Sequence, residues 1–114
     1  MATEQVISFD DFVKVDMRVG TVKSAVWNEK AQKPAYVLEI DFGELGVKKS
    51  SAQITEAYSP EDLIDSQVIA VINFPVKRVA GIKSEVLILA IVEDNGQAIL
   101  LCPKQKVKNG LRVA

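Results

Sequence analysis

The residues here that could do chemistry are mostly cations. Lys77, Arg78 and Lys83 fall within NFPVKRVAGIKSE (residues 73–85), between two of the most apolar runs of the chain, VIAVI at 68–72 and VLILAIV at 86–92. Lys30 and Lys33 lie in NEKAQKP (28–34), and Lys48 and Lys49 begin KKSS (48–51). Ammonium and guanidinium groups neutralise phosphates and release counterions, giving an affinity that falls steeply with salt. Ser50, Ser51, Asn73 and Ser84 can add neutral hydrogen bonds to phosphate or ribose, which set register on a nucleic acid.

Other chemistries lack their parts. The chain has no His and one Cys, Cys102, which excludes the usual zinc sites and any disulfide within the chain. His-dependent triads and the commonest general acid–base go with them. Cys102, in AILLCP, has no base near it in sequence and reads as a buried structural thiol. Glu39 and Asp41 lie two apart on a strand, an ordinary surface arrangement, and no glycine-rich phosphate loop is present. The expectation is a non-enzyme without cofactor or metal. Among the aromatics, Phe9, Phe12, Phe42 and Tyr36 read as core or interface, leaving Trp27, Phe74 and Tyr58 as stacking platforms. That is few for a sequence-tolerant single-strand binder, so a structured RNA recognised through shape and backbone is the better fit.

A net charge of −1 hides an asymmetry. Residues 1–65 carry seven basic and twelve acidic side chains, whereas residues 66–114 carry seven basic and three acidic. The excess of cations therefore belongs to the second half.

Elements must bring these residues together. At 114 residues the chain is expected to be a single domain. Its longest apolar run, seven residues at 86–92, is far short of the roughly 20 of a membrane span. MATEQVISFDDF has no basic start or apolar core of a signal peptide, so the cytoplasm is expected and membrane insertion is not. SFDDFVKV (8–15) predicts a short helix capped by Ser8, and DMRVGTVKSAVW (16–27) a long strand. The phase of its apolar positions shifts after Gly20, predicting a bulge there. AYVLEIDF (35–42) alternates cleanly and predicts a strand, GELG a turn, and VKKSSAQI (47–54) the third strand. TEAYSPEDLI (55–64) predicts a helix around Ser59-Pro60, and 67–73 and 84–92 are strands four and five. EDNGQ is a hairpin turn leading into AILLC at 98–102. Five strands with a helix between the third and fourth are the layout of an all-β OB-fold barrel.

In that fold the loops joining strands one to two and four to five flank the ligand face of strands two and three. Those loops are 28–34 and 73–84. Lys30, Lys33, Lys48, Lys49, Lys77, Arg78 and Lys83, seven of the fourteen basic residues, should then converge. Runs 68–72 and 86–92 are apolar at consecutive positions, so both strand faces want cover. This predicts a homodimer burying outward faces of late strands and terminal segments.

DMRVGTV, KPAYVLEIDFG, KKSSAQIT and VIAVINFPVKRVAGIKSEVLIL, in this order, resemble the tRNA-binding domain that occurs free-standing and appended to some aminoacyl-tRNA synthetases, most of all its CsaA-type branch. The resemblance runs over about residues 7–113 and implies an OB-fold, dimerisation through terminal segments, and tRNA binding by backbone and shape. It also implies a link to protein export, with unfolded or precursor proteins as partners, or service as a cofactor of a synthetase. The RNA-facing set it implies is Lys48, Lys49, Ser50, Ser51, Gln53, Asn73, Lys77, Arg78, Lys83 and Ser84. Where the family often has Pro-Arg, this chain has Val76-Lys77, with Arg78 one residue on. A peptide-binding role would use Phe74, Val76, Val79 and Ile82, interleaved with the same cations.

Overall fold

The computed structural model describes residues 5–114. A short helix α1 (Phe9–Val13) leads into strands β1 (Met17–Trp27), β2 (Tyr36–Asp41) and β3 (Val47–Ala52), with a one-turn 3-10 helix at Gly43–Leu45. Helix α2 (Pro60–Leu63) precedes β4 (Gln67–Val71), and then come β5 (Lys77–Val79), β6 (Ile82–Ser84), β7 (Leu87–Ile88), β8 (Ala90–Val92) and β9 (Ala98–Leu100). The main antiparallel sheet runs β3-β2-β1-β4-β7, while β5–β6 and β8–β9 are separate hairpins. Closure comes from residues 85–86 beside β3. The amide of Glu85 donates to Lys49 O at 2.8 Å, and Ser50 Oγ donates to Val86 O at 3.0 Å. The result is a nearly closed five-stranded barrel of OB type, as the strand count predicts. Among the described residues no helix is long and apolar enough to cross a membrane.

The core follows from the alternation on β2. Tyr36, Leu38 and Ile40 are at most 2% exposed, and Phe42 just beyond the strand is fully buried. They meet Val22 of β1, Val68 and Ala70 of β4, and Leu63 of α2. Each large side chain so buried contributes about 1.5–3 kcal/mol relative to exposure. Tyr36 keeps its polar end satisfied by donating to Tyr58 O at 2.8 Å.

Several expectations shift in detail. The bulge of β1 lies between Val22 and Ser24, where the register against β2 slips, and not at Gly20. Gly20 has a different cause: a Cβ there would stand 2.6 Å from Ile40 Cγ2 and 2.8 Å from Phe42 Cδ1. The fifth strand is broken, because the chain changes partner twice. Ile82–Ser84 pairs with β5, Leu87–Ile88 with β4, and Ala90–Val92 with β9, while Val86 turns into the core between them. The helices are shorter than the predicted spans. Each keeps its acidic capping residue: Ser8 N donates to Asp11 Oδ2 at 3.1 Å, and Ser59 N to Asp62 Oδ2 at 3.0 Å. Cys102 is exposed, against the burial expected of it.

Both terminal segments are tied to β1. Val19 N donates to Leu111 O, and Gly110 N to Val19 O, at 3.1 and 2.8 Å. Arg18 donates to Asp16 through Nε at 2.6 Å and to Gly110 O through Nη1 at 3.0 Å. The hydrogen bond from Arg18, with the charge of Arg112 beside it, holds the Asp16 carboxyl below its ordinary range. Past this clamp the termini leave Phe9 73% exposed, with Val13, Val15 and Leu111 also open to solvent. The consecutive run at 68–72 is covered by the chain itself, but Leu87, Ile91 and Val92 of the other run are exposed.

Candidate nucleic-acid interface

The connector between the fourth and fifth barrel strands is a hairpin and not an open loop. Lys77 faces Ser84, Arg78 faces Lys83, and Val79 faces Ile82. Its two-residue turn places both Ala80 (φ 46°) and Gly81 (φ 86°) in the left-handed region that tight hairpins demand. Alternation of side chains puts Arg78 and Lys83 together on the outer face. Val79, Ile82 and Ser84 share the other, half-buried face. Like charges directly opposite each other destabilise an antiparallel pair. Among the ion pairs of the described residues none includes Arg78 or Lys83, so folding gains nothing from their juxtaposition.

The hairpin is fixed to β3 at its base. Ser84 Oγ accepts from Ser51 N at 3.3 Å, and Glu85 Oε1 accepts from Lys49 N at 3.0 Å. At its tip the bare backbone of Gly81 makes room for Lys30: a Cβ on Gly81 would lie 2.9 Å from Lys30 Cδ. The 28–34 loop and the hairpin therefore do converge, with Lys30 laid along the turn. Asn28 shapes that loop, its Oδ1 accepting from Lys30 N at 3.1 Å.

The residues expected from the sequence divide accordingly. Lys30, Lys77, Arg78 and Lys83 are exposed on or against the hairpin, and Lys49 and Ser51 lie on the outer face of β3 at its base. Lys48 has the inward parity of Ser50 and is half-buried at the strand's end. Lys33 and Gln53 come together elsewhere, in a cleft of about 210 Å³ shared with Glu56 and Gln97, which no hairpin residue lines. One residue drops out of the expected set and another is engaged within the chain. Ser50 is 2% exposed, its hydroxyl donating to Val86 O, because β3 turns it into the barrel. Asn73 brackets the N-terminal helix: its Oδ1 accepts from Asp16 N at 3.0 Å and its Nδ2 donates to Lys14 O at 2.7 Å. Each amide group thus makes one bond within the chain, and the side chain stays exposed.

The apolar set also divides. Phe74 and Val76 are each more than half exposed and line a groove of about 510 Å³ with Pro75 and Leu87. Val79 and Ile82 pair with each other near the hairpin tip instead. Leu87 was legible as part of the consecutive run 86–92, whose outward residues needed cover. Of the aromatic platforms, Trp27 is 55% exposed and held edge-on against Tyr36 with ring centroids 5.0 Å apart. The Tyr58 hydroxyl accepts from Leu100 N at 3.1 Å and is half-buried.

The fold recurs in known proteins. CsaA from Bacillus anthracis str. Ames, described as a chaperone, superposes with a TM-score of 0.91 at 53% identity, covering 96% of this chain and all of that one. The CsaA chaperone protein of Picrophilus torridus gives 0.89 at 44% identity, with 96% and 100% covered. Methionine–tRNA ligase of Methanococcoides burtonii is 36% identical over 107 residues, 94% of this chain. The chain spans 16% of that ligase's length, so the likeness is to one part of it. Residues 17–112 match the model of the tRNA binding domain, and the chain belongs to that family.

Proposed function

We propose that the chain is a non-enzymatic RNA-binding module of the cytoplasm that holds tRNA by its sugar–phosphate backbone, with the β5–β6 hairpin, the tip-bound Lys30 and the outer face of β3 as the contact surface. The observation that carries this reading is the Arg78–Lys83 pair, two opposed cations that form no ion pair among the described residues, on a hairpin the family model includes. Phosphates between them relieve the repulsion that the fold leaves standing. Lys49 and Ser51 extend the surface at the hairpin base. Lys33 and Gln53 lie within their own cleft and would meet RNA there.

The test is a tRNA titration at 50 and 200 mM salt with an unfolded peptide as competitor. The five cations of this surface alone contribute about −4 to the salt slope, hence an affinity loss on the order of 300-fold or more between the two conditions. Binding that is absent, or flat with salt, refutes a phosphate-driven interface.

The Phe74–Val76–Leu87 groove supports a second activity, capture of unfolded or precursor proteins during export, as the chaperone description of the CsaA neighbours suggests. That activity is apolar and should persist at 200 mM salt. Competition by the peptide would place both ligands on one surface, and peptide binding abolished by salt would remove the groove from consideration. A free-standing cofactor of a synthetase is the alternative that the ligase relatives suggest.

We further propose a homodimer covering the exposed Phe9, Val13, Val15 and Leu111 of the terminal segments. Sedimentation at micromolar concentration should give twice the chain mass. A Phe9→Ser variant should shift the protein toward monomer, and a wild-type protein that sediments as monomer excludes the dimer.

A further inference from the structure

The excess of cations in the second half of the chain is not exhausted by the hairpin. Lys104, Lys106 and Lys108 follow in PKQKVKN, and all three are exposed. What distinguishes them from scattered surface lysines is how their segment is held. The side-chain amide of Gln67 holds both backbone polar groups of Val107: Nε2 donates to Val107 O at 2.6 Å, and Oε1 accepts from Val107 N at 3.0 Å. Gln67 Nε2 also reaches Asn109 Oδ1 at 3.0 Å, and Thr21 Oγ1 donates to the same oxygen at 2.8 Å. A side chain thus imitates the pairing of a neighbouring strand.

A residue whose N–H and C=O are both taken from one side, as in a strand, projects its side chain opposite to those of its two neighbours. Val107 is half-buried, while Lys106 and Lys108 project together to solvent. In an extended stretch, positions two apart lie roughly 7 Å from each other, so each ammonium can meet a different phosphate. Among the described residues no ion pair includes Lys104, Lys106 or Lys108. Asp65 lines a shallow recess with Lys104 and Lys106, and Glu44 lines another with Lys108, without either carboxylate closing to ion-pair distance.

We propose that Lys104, Lys106 and Lys108 form a second phosphate-binding strip for the same RNA, separate from the hairpin. The strip is anchored at Gln67, the first residue of β4, whereas the hairpin departs beyond Val71, the last. Those positions are about 13 Å apart along the strand, so the two patches meet different stretches of the RNA backbone. Gln67 is a positioning residue, because it fixes the strip without touching the ligand. This inference rests on the RNA-binding reading above and extends it to a face outside the expected OB-fold ligand surface.

The experiment compares Lys104→Gln/Lys106→Gln/Lys108→Gln with wild type and with Arg78→Gln/Lys83→Gln, titrating tRNA across salt concentrations. The anchoring bonds of Val107 are backbone bonds, so the triple variant should keep the wild-type melting temperature. Its salt slope should be shallower by about 2.1–2.7, with affinity on the order of 250-fold lower at 0.1 M salt. The Lys→Arg version should restore the slope, since charge and not shape is what is lost. An unchanged slope in the Lys→Gln variant, beside a loss in the hairpin variant, overturns the strip and leaves the hairpin interface standing. Wild-type protein that does not bind tRNA overturns both.

Discussion

Replacing Arg78 and Lys83 together by glutamine should weaken tRNA binding about 50-fold at 0.1 M salt while leaving the fold as stable as before, or slightly more so. The affinity arithmetic is electrostatic. Each phosphate neutralised adds roughly 0.7–0.9 to the salt slope, so removing two cations at 0.1 M lowers affinity by about 1.4–1.8 decades. The stability arithmetic has the opposite sign. The two side chains are cross-strand partners with like charge, and removing such a pair relieves about 0.2–1 kcal/mol. The two effects have one physical origin: the pair is frustrated in the free protein and satisfied by an anion. Filter binding or fluorescence anisotropy across salt, alongside a thermal melt, reads both quantities. Unchanged affinity would move the RNA off the hairpin, and a large fall in melting temperature would make the cations structural. Arg78→Lys separates charge from geometry, because a lysine keeps the slope but cannot make the two-pronged contact of a guanidinium.

Much of this interface is written locally in the chain, and what is not local is where the expectations shift. The alternation of Tyr36, Leu38, Ile40 and Phe42 needs no partner to be read, and all four are core. The connector at 73–84 is identifiable from the apolar runs on either side, yet its hairpin depends on Ala80 adopting a left-handed backbone, which an alanine does not advertise. Ser50 and Ser51 are indistinguishable by residue type, and strand parity alone sends one into the barrel and the other to its outer face. Asn73 has the chemistry of a phosphate contact, but Lys14 and Asp16, more than fifty residues earlier, occupy its amide. The apolar run 86–92 reads as one strand because composition cannot show a change of pairing partner from β4 to β9 within it. Lys30 illustrates the gain from the fold. Fifty-one positions separate it from Gly81, and the missing Cβ of that glycine is what lets it lie on the hairpin tip.

Gly20→Ala is expected to be the most destabilising of the small substitutions, by about 3 kcal/mol, or a fall on the order of 10 °C in melting temperature. Gly20 is absent from the positive-φ glycines, so alanine meets no backbone strain and the cost is steric. The added methyl would sit 2.6 Å from Ile40 Cγ2 and 2.8 and 2.9 Å from the edge of the Phe42 ring. Neither neighbour has room to retreat, since both are fully buried. Ring displacement would also press on the chain beyond β2, where Phe42 O already lies 2.5 Å from the position of a Cβ on Gly110. A bulge at Gly20 would make a different prediction, because a backbone irregularity tolerates alanine wherever φ is negative. The decisive comparison is with Ile40→Ala, which alone should cost about 2–5 kcal/mol through the cavity it leaves. In Gly20→Ala/Ile40→Ala the new methyl enters the space that Cγ2 vacates. Urea unfolding should then show the double variant at least about 1 kcal/mol more stable than the sum of the single effects requires. Strict additivity would mean that relieving Ile40 does not help, and would place the clash on the Phe42 ring instead.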